Sequence, residues 1–205
     1  MKAKGEPAGV SRRYRNVREI LVISLTCIGD VLLTTPVISN LKAAFPGARV
    51  TVLAGKTAYP LLAEHEPADR ALVFDNRGAH RGWRGVMRLS GELRRERYDM
   101  VVDLRNTVIP YFLRARYRIT AHGTHLRHRD VRGRHAIDRH LDVLADHGIP
   151  VRHREMTLTP PREASSRVEA MLRREGLLNG RALIAVYPGA GSPYKEYPAE
   201  KFAAV

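Results

Sequence analysis

The sequence predicts an α/β domain built on a doubly wound parallel sheet, and three observations point there. Short, β-branched, continuously apolar runs recur along the chain, as strands buried on both faces require. Amphipathic helical patterns separate those runs, which is the alternation of α/β architecture. An acidic residue, Asp30, follows directly after the first run, and open α/β sheets place working residues at the carboxyl ends of their strands.

The first strand is expected at residues 20–25 (ILVISL). Beyond it, Pro36 cannot lie deep in a regular helix because it has no N–H to donate. A helix with Thr35 as N-cap and Pro36 at its first position resolves that conflict, with Val37, Leu41 and Ala44 on one stripe. Residues 26–34 then form an extended elbow or a kinked first turn around Gly29-Asp30. Further strands are expected at 50–54, 71–74, 100–104 and 118–120, with a weaker candidate at 156–158. Val86, Leu89 and Leu93 share a second helical stripe, and Ile137, Leu141 and Leu144 a third.

Pro160-Pro161 breaks the pattern. A helix over 163–175, closed by Gly176, leads to a last strand at 183–187, then a loop and a helix opening at Pro198. Such a unit cannot bury itself alone, so a second, incomplete α/β domain is expected from residue 183. The expected organisation is a basic flexible N-terminus (1–19), an α/β domain (20–160), a linker and helix (161–182) and the truncated start of another domain (183–205).

Composition sets the class. An apolar content of 44% supports a core. The single cysteine, Cys27, excludes an internal disulfide and fits a reducing compartment. Residues 1–19 lack the apolar centre of a signal peptide, and the apolar run 20–28 is far shorter than the ~20 residues that span a bilayer. A soluble, cytoplasmic protein is the expectation. The net charge of +14, from 35 Lys and Arg against 21 Asp and Glu, favours an acidic partner: nucleic acid, anionic lipid or a phosphorylated substrate. A solvated basic surface would account for it equally well.

Two loops could carry chemistry. Asp30 could cap the elbow helix, or act as a general base toward an attacking hydroxyl; the roles can coexist. The loop Pro188-Gly189-Ala190-Gly191-Ser192-Pro193-Tyr194-Lys195 could be a simple exposed turn. It could also bring backbone N–H groups, the Ser192 hydroxyl and the Lys195 charge to a phosphate. It is neither a Walker loop nor a dinucleotide fingerprint, because the GK[ST] ending and the third glycine are missing. His122, His125 and His128, amid Arg127, Arg129, Arg132 and Arg134, read as a solvated basic loop in preference to a metal site. Cys27 has no evident histidine partner, and Asp103, at the end of a strand, could line the same cleft as Asp30 but reads better as a structural cap. No Asp-x-Asp pair is present.

With both loops in view, the sequence resembles glycosyltransferase family 9, the lipopolysaccharide heptosyltransferases. The family opens with a strand followed by S-x-x-G-D-x-x-x-T-x-P, and Thr26-Cys27-Ile28-Gly29-Asp30, Thr34 and Pro36 match it, with a helix ending at Phe45-Pro46. Tyr98-Asp99-Met100-Val101-Val102-Asp103-Leu104 is similar to the family's Y-D-x-V-I-D-L strand. Pro188-Gly189-Ala190, with Lys195 and Tyr197-Pro198, resembles its P-G-A…K-x-W-P donor loop. Gly191 and Ser192 stand where threonines often occur, and Tyr197 replaces the common tryptophan.

The resemblance implies a two-domain GT-B fold and inverting, single-displacement transfer of heptose from ADP-heptose to a phosphorylated, lipid-linked core saccharide. No metal or cofactor is implied; the nucleotide sugar is a substrate. Asp30 would be the base, while Gly191, Ser192 and Lys195 hold the donor diphosphate. Gly29, Thr34, Arg114 and Arg127 are acceptor-side candidates, and Arg116, Arg118 and the 127–134 loop extend a basic face suited to peripheral contact with an anionic inner membrane surface. The 205-residue chain alone would then be inactive. The alternative is a basic nucleic-acid-binding α/β module without catalytic activity.

Overall fold

The computed structural model describes residues 13–25, 27–63, 68–122, 124, 133–180, 182–187, 189–190 and 192–203. The chain divides into two compact units, Met1–Pro161 and Arg162–Val205.

The first unit is built on a five-stranded, wholly parallel sheet, order β3-β2-β1-β4-β5. The strands are β1 (Glu19–Ile23), β2 (Arg49–Gly55), β3 (Arg70–Phe74), β4 (Met100–Asp103) and β5 (Tyr117–Thr120). Parallel strands need crossovers, and helices supply them: α1 (Ile28–Leu32), α2 (Thr35–Ala44), α3 (Tyr59–Leu62), α4 (Gly82–Leu93) and α5 (Ile109–Phe112), with α6 (Ala136–Asp146) following β5.

The alternation of side chains along a strand divides the core into two layers. Ile20, Val22, Val50, Val52, Met100, Val102 and Ile119 face α2 and α6, meeting Val37, Ile38, Leu41, Leu141 and Leu144. Leu21, Ile23, Leu53 and Val101 face the other way, against Leu89 and Leu93 of α4 and Ile109 of α5. Each fully buried side chain of this kind contributes about 1.5–3 kcal/mol, so the central strands are fixed by burial on both sides.

The elbow after β1 takes the kinked form. α1 is a separate short helix, a turn follows at Leu33-Thr34, and α2 begins at Thr35. Thr34, one residue earlier than expected, is its N-cap, and Pro36 sits in the first turn, where a missing N–H loses no helical bond.

Residues 156–158 form no strand. The segment is tied instead to side chains of α2. Fully buried Asn40 donates Nδ2 to the carbonyls of Pro36 (2.7 Å) and His153 (2.6 Å), and its Oδ1 accepts from the N–H groups of Arg152 (2.6 Å) and His153 (3.0 Å). Thr35 Oγ1 accepts from the Thr157 N–H at 3.1 Å. Side-chain partners thus replace a ladder.

In the second unit α7 (Arg162–Arg174) ends before Gly176 at φ +66°, the left-handed conformation that closes many helices. Residues 182–187 do not pair as a strand. A strand needs a neighbour to satisfy its backbone, and no other strand exists among the described residues of this unit. Ile184 and Tyr187 stay largely exposed. A 3-10 turn (Pro193–Lys195) and the short α8 (Ala199–Phe202) complete the unit.

Candidate active site

After β1 the chain crosses to β2, and after β4 it crosses to β5 on the other side. The carboxyl ends of β1 and β4 are therefore the point where the winding reverses, the place where open α/β sheets bind their ligands. Ile23 of β1 lies in register with Asp103 of β4, so the two loops leave the sheet side by side.

Asp30 leaves from the first of these. It occupies the third position of α1; the cap position falls to Cys27, whose side chain makes no capping bond. The elbow is held from within. Ser24 is buried, with Oγ 2.9 Å from Thr34 Oγ1, and Thr34 Oγ1 donates to the Asp30 carbonyl at 2.9 Å. Thr34 spends its only proton on Asp30, so Ser24 is the donor between the two hydroxyls. Thr34 is 1% exposed and so positions Asp30 from below, with no face left for an acceptor. Leu25, at φ +51°, turns the chain through a conformation that is uncommon for a residue with a side chain and clusters at working sites.

The Asp30 carboxylate is 39% exposed, and its Oδ2 meets Arg105 Nη1 at 3.4 Å. Arg105 comes from the second loop, which a buried acid organises. Asp103, fully buried, accepts from the Arg105 N–H (2.8 Å), the Thr107 N–H (2.6 Å) and the Thr107 hydroxyl (2.9 Å). Burial pushes its carboxyl above the usual range, and these donors oppose that shift. Asn106 at φ +53° completes the turn. Asp103 thus caps this loop and fixes the backbone at Arg105 and Thr107.

His140 of α6 closes the cluster. Its Nδ1 is buried without a hydrogen-bond partner among the described residues. Burial holds the imidazole below its ordinary value; Arg105 and Arg139 add to that, and the Leu33 backbone and Asp30 oppose it. The ring lies within the electrostatic reach of the Asp30–Arg105 pair.

Gly29 is exposed and helical, and an added Cβ would meet nothing within 4 Å. Neither backbone conformation nor packing calls for glycine there.

The other acceptor-side candidates lie elsewhere. Arg114 precedes β5, whose first residue, Tyr117, is in register with Met100 at the amino end of β4. That is the sheet edge opposite Asp30, so Arg114 does not join the cluster. Arg116 lies over the Tyr117 ring at 5.1 Å. Arg118 donates to the carbonyls of Pro110 (3.0 Å) and Leu113 (2.7 Å), satisfying the end of α5. Arg127, His125, His128, Arg129, Arg132 and Gly191 lie outside the described residues. Exposed Lys195 closes the 3-10 turn, its N–H donating to the Ser192 carbonyl at 2.9 Å.

The structure sets Arg105 and His140, which the sequence reading did not single out, beside Asp30 and Asp103. The available signal for Arg105 was its place two residues past the end of a strand that ends in Asp103.

No family model matches the chain. Among curated proteins it is 28% identical over 195 residues to lipopolysaccharide heptosyltransferase 3 of Escherichia coli K12, covering 86% of this chain and 56% of that protein. It is 26% identical over 200 residues to lipooligosaccharide heptosyltransferase 2 of Haemophilus influenzae, covering 87% and 57%. The chain thus spans little more than half the length of these relatives. Among solved structures it shares its fold with the glycosyl transferase family 9 protein of Veillonella parvula (TM-score 0.79, 24% identity, 91% of this chain and 58% of that one). The E. coli ADP-heptose lipopolysaccharide heptosyltransferase II has the same fold (TM-score 0.64, 23% identity, 91% and 59%).

Proposed function

Starting from its heptosyltransferase homologues and family 9 fold, we propose that this chain supplies the acceptor-side domain, and part of the donor-side unit, of a glycosyltransferase that moves heptose from ADP-heptose to a lipopolysaccharide core acceptor. One observation carries the reading most of the way. The motif aspartate stands half-exposed at the point where the sheet's winding reverses, braced from behind by Thr34 and met in front by Arg105.

The chemistry follows from that placement. An acceptor hydroxyl enters the open space before Gly29 and gives its proton to Asp30 as its oxygen attacks the anomeric carbon of the sugar. The bond from that carbon to the diphosphate breaks on the opposite face, so the configuration inverts. ADP leaves carrying the electron pair, and Ser192 and Lys195, with Gly191, are the candidates to steady it; each well-placed donor of this kind is worth about 2.7–4 kcal/mol. Arg105 holds the carboxylate in line. No metal or cofactor enters the scheme.

Similarity to heptosyltransferases supports reading the +14 charge as suited to a phosphorylated saccharide acceptor in preference to nucleic acid. No helix among the described residues is long and apolar enough to cross a membrane. The test is heptose transfer by the complete protein, followed by mass spectrometry of a heptose-deficient core acceptor incubated with ADP-heptose. A mass increase of one heptose is expected. An unmodified acceptor beside an active control enzyme would overturn the proposal.

A further inference from the structure

The flank of the first unit formed by α4 and α5 carries large apolar side chains that the described residues do not cover. Trp83 is 64% exposed, Tyr111 73% and Val108 53%. Trp83 meets Phe112 edge to face, with ring centroids 5.6 Å apart. Isolated exposed apolar residues are ordinary, but an exposed tryptophan packed on a second ring, with further exposed apolar side chains nearby in the chain, marks a candidate interaction surface. Its surroundings are basic. Arg81 and Arg84 flank Trp83 in the chain, Arg88 follows one turn along α4, and Arg114 lies two residues past Phe112; all four are exposed. The acid on α4, Glu92, turns toward His80, with Oε2 3.7 Å from Nε2.

Aromatic rings with an apolar body and a polar tip, set among arginines, have the chemistry of a bilayer interface. Trp and Tyr settle at headgroup depth, while arginines are drawn to anionic lipid. A second copy fits less well, because a two-fold contact would set the same arginines against one another. We propose that Trp83, Val108, Tyr111 and Phe112, with the exposed arginines Arg81, Arg84, Arg88 and Arg114 of the same segments, dock this flank on an anionic lipid surface. α4 and α5 both belong to the unit that carries Asp30, so docking would bring that unit to a lipid-borne acceptor. That consequence rests on the transferase reading; lipid binding itself does not.

Trp83 is the only tryptophan in the chain, so intrinsic fluorescence reports on this patch directly. With phosphatidylglycerol vesicles at low salt, Trp83 emission should shift to the blue and be quenched by brominated acyl chains, with much less change on phosphatidylcholine. Arg84→Glu with Arg88→Glu should weaken co-sedimentation by about tenfold or more, since each arginine near an anionic surface is worth about fivefold. Tyr111→Ser should weaken it too, and its unchanged melting temperature would exclude misfolding. Unmoved emission on anionic vesicles, or variants that bind like the parent, would overturn the proposal. A blue shift without lipid that tracks dimer formation in light scattering would give the face to a second copy, and a shift on duplex DNA but not on vesicles would give it to nucleic acid. Heptose transfer without vesicle binding would overturn this surface alone. Vesicle binding without transfer would leave the surface standing and overturn the transferase reading.

Discussion

At Asp103, burial and hydrogen bonding act on one carboxylate in opposite directions. Burial raises its pKa, which means the ionised form is held in the fold against a desolvation penalty. The donors from Arg105 and Thr107 offset that penalty and shape the loop. Asparagine would offer one acceptor oxygen where two are used, and would set its own N–H₂ against an N–H. Asp103→Asn should therefore lower stability by about 1–3 kcal/mol in denaturant melts and release Arg105 from Asp30. A variant as stable as the parent would show that the cage is dispensable. His140 makes a pH prediction. Its folded pKa is depressed, so the unfolded chain takes up this proton more readily. The neutral ring's contribution is present above the ordinary value near 6.5 and is lost as pH falls below it. Between pH 7.5 and 5.0, His140→Gln should lose less stability than the parent; equal losses would contradict a buried, neutral His140.

At the scale of elements, α4 shows how closely a helix can be committed. A Cβ on Gly85 would lie 2.1 Å from the backbone carbonyl carbon of His80, whereas one on Gly91 of the same helix would meet nothing within 4 Å. Gly85→Ala should destabilise by about 1–3 kcal/mol through overpacking, while Gly91→Ala should gain up to about 1 kcal/mol from helix propensity. Equal effects at the two positions would contradict the packing of the loop before α4. The strands were legible because burial on both faces leaves long apolar runs, and all five lie within a few residues of the expected positions. The segments 156–158 and 183–187 carry similar runs and form no ladder. What separates them is the availability of a neighbouring strand, which local sequence does not encode. The first is held by Asn40 and Thr35, buried polar residues of α2.

At the scale of the whole molecule, the site depends on topology. Asp30 was readable from a motif beside it, but its partner Arg105 lies 75 residues away and comes near only because β4 pairs directly with β1. His140 enters from a third element, α6, by packing. Residue types alone therefore singled out Asp30 and Asp103, while the charge facing Asp30 required the strand order. Heptose transfer by Asp30→Asn, assayed in the complete protein with ADP-heptose and a core acceptor, tests the central claim most directly. Turnover should fall by about 10²–10⁴ while melting temperature and donor binding stay unchanged. Turnover within a fewfold of the parent would contradict Asp30 as the base.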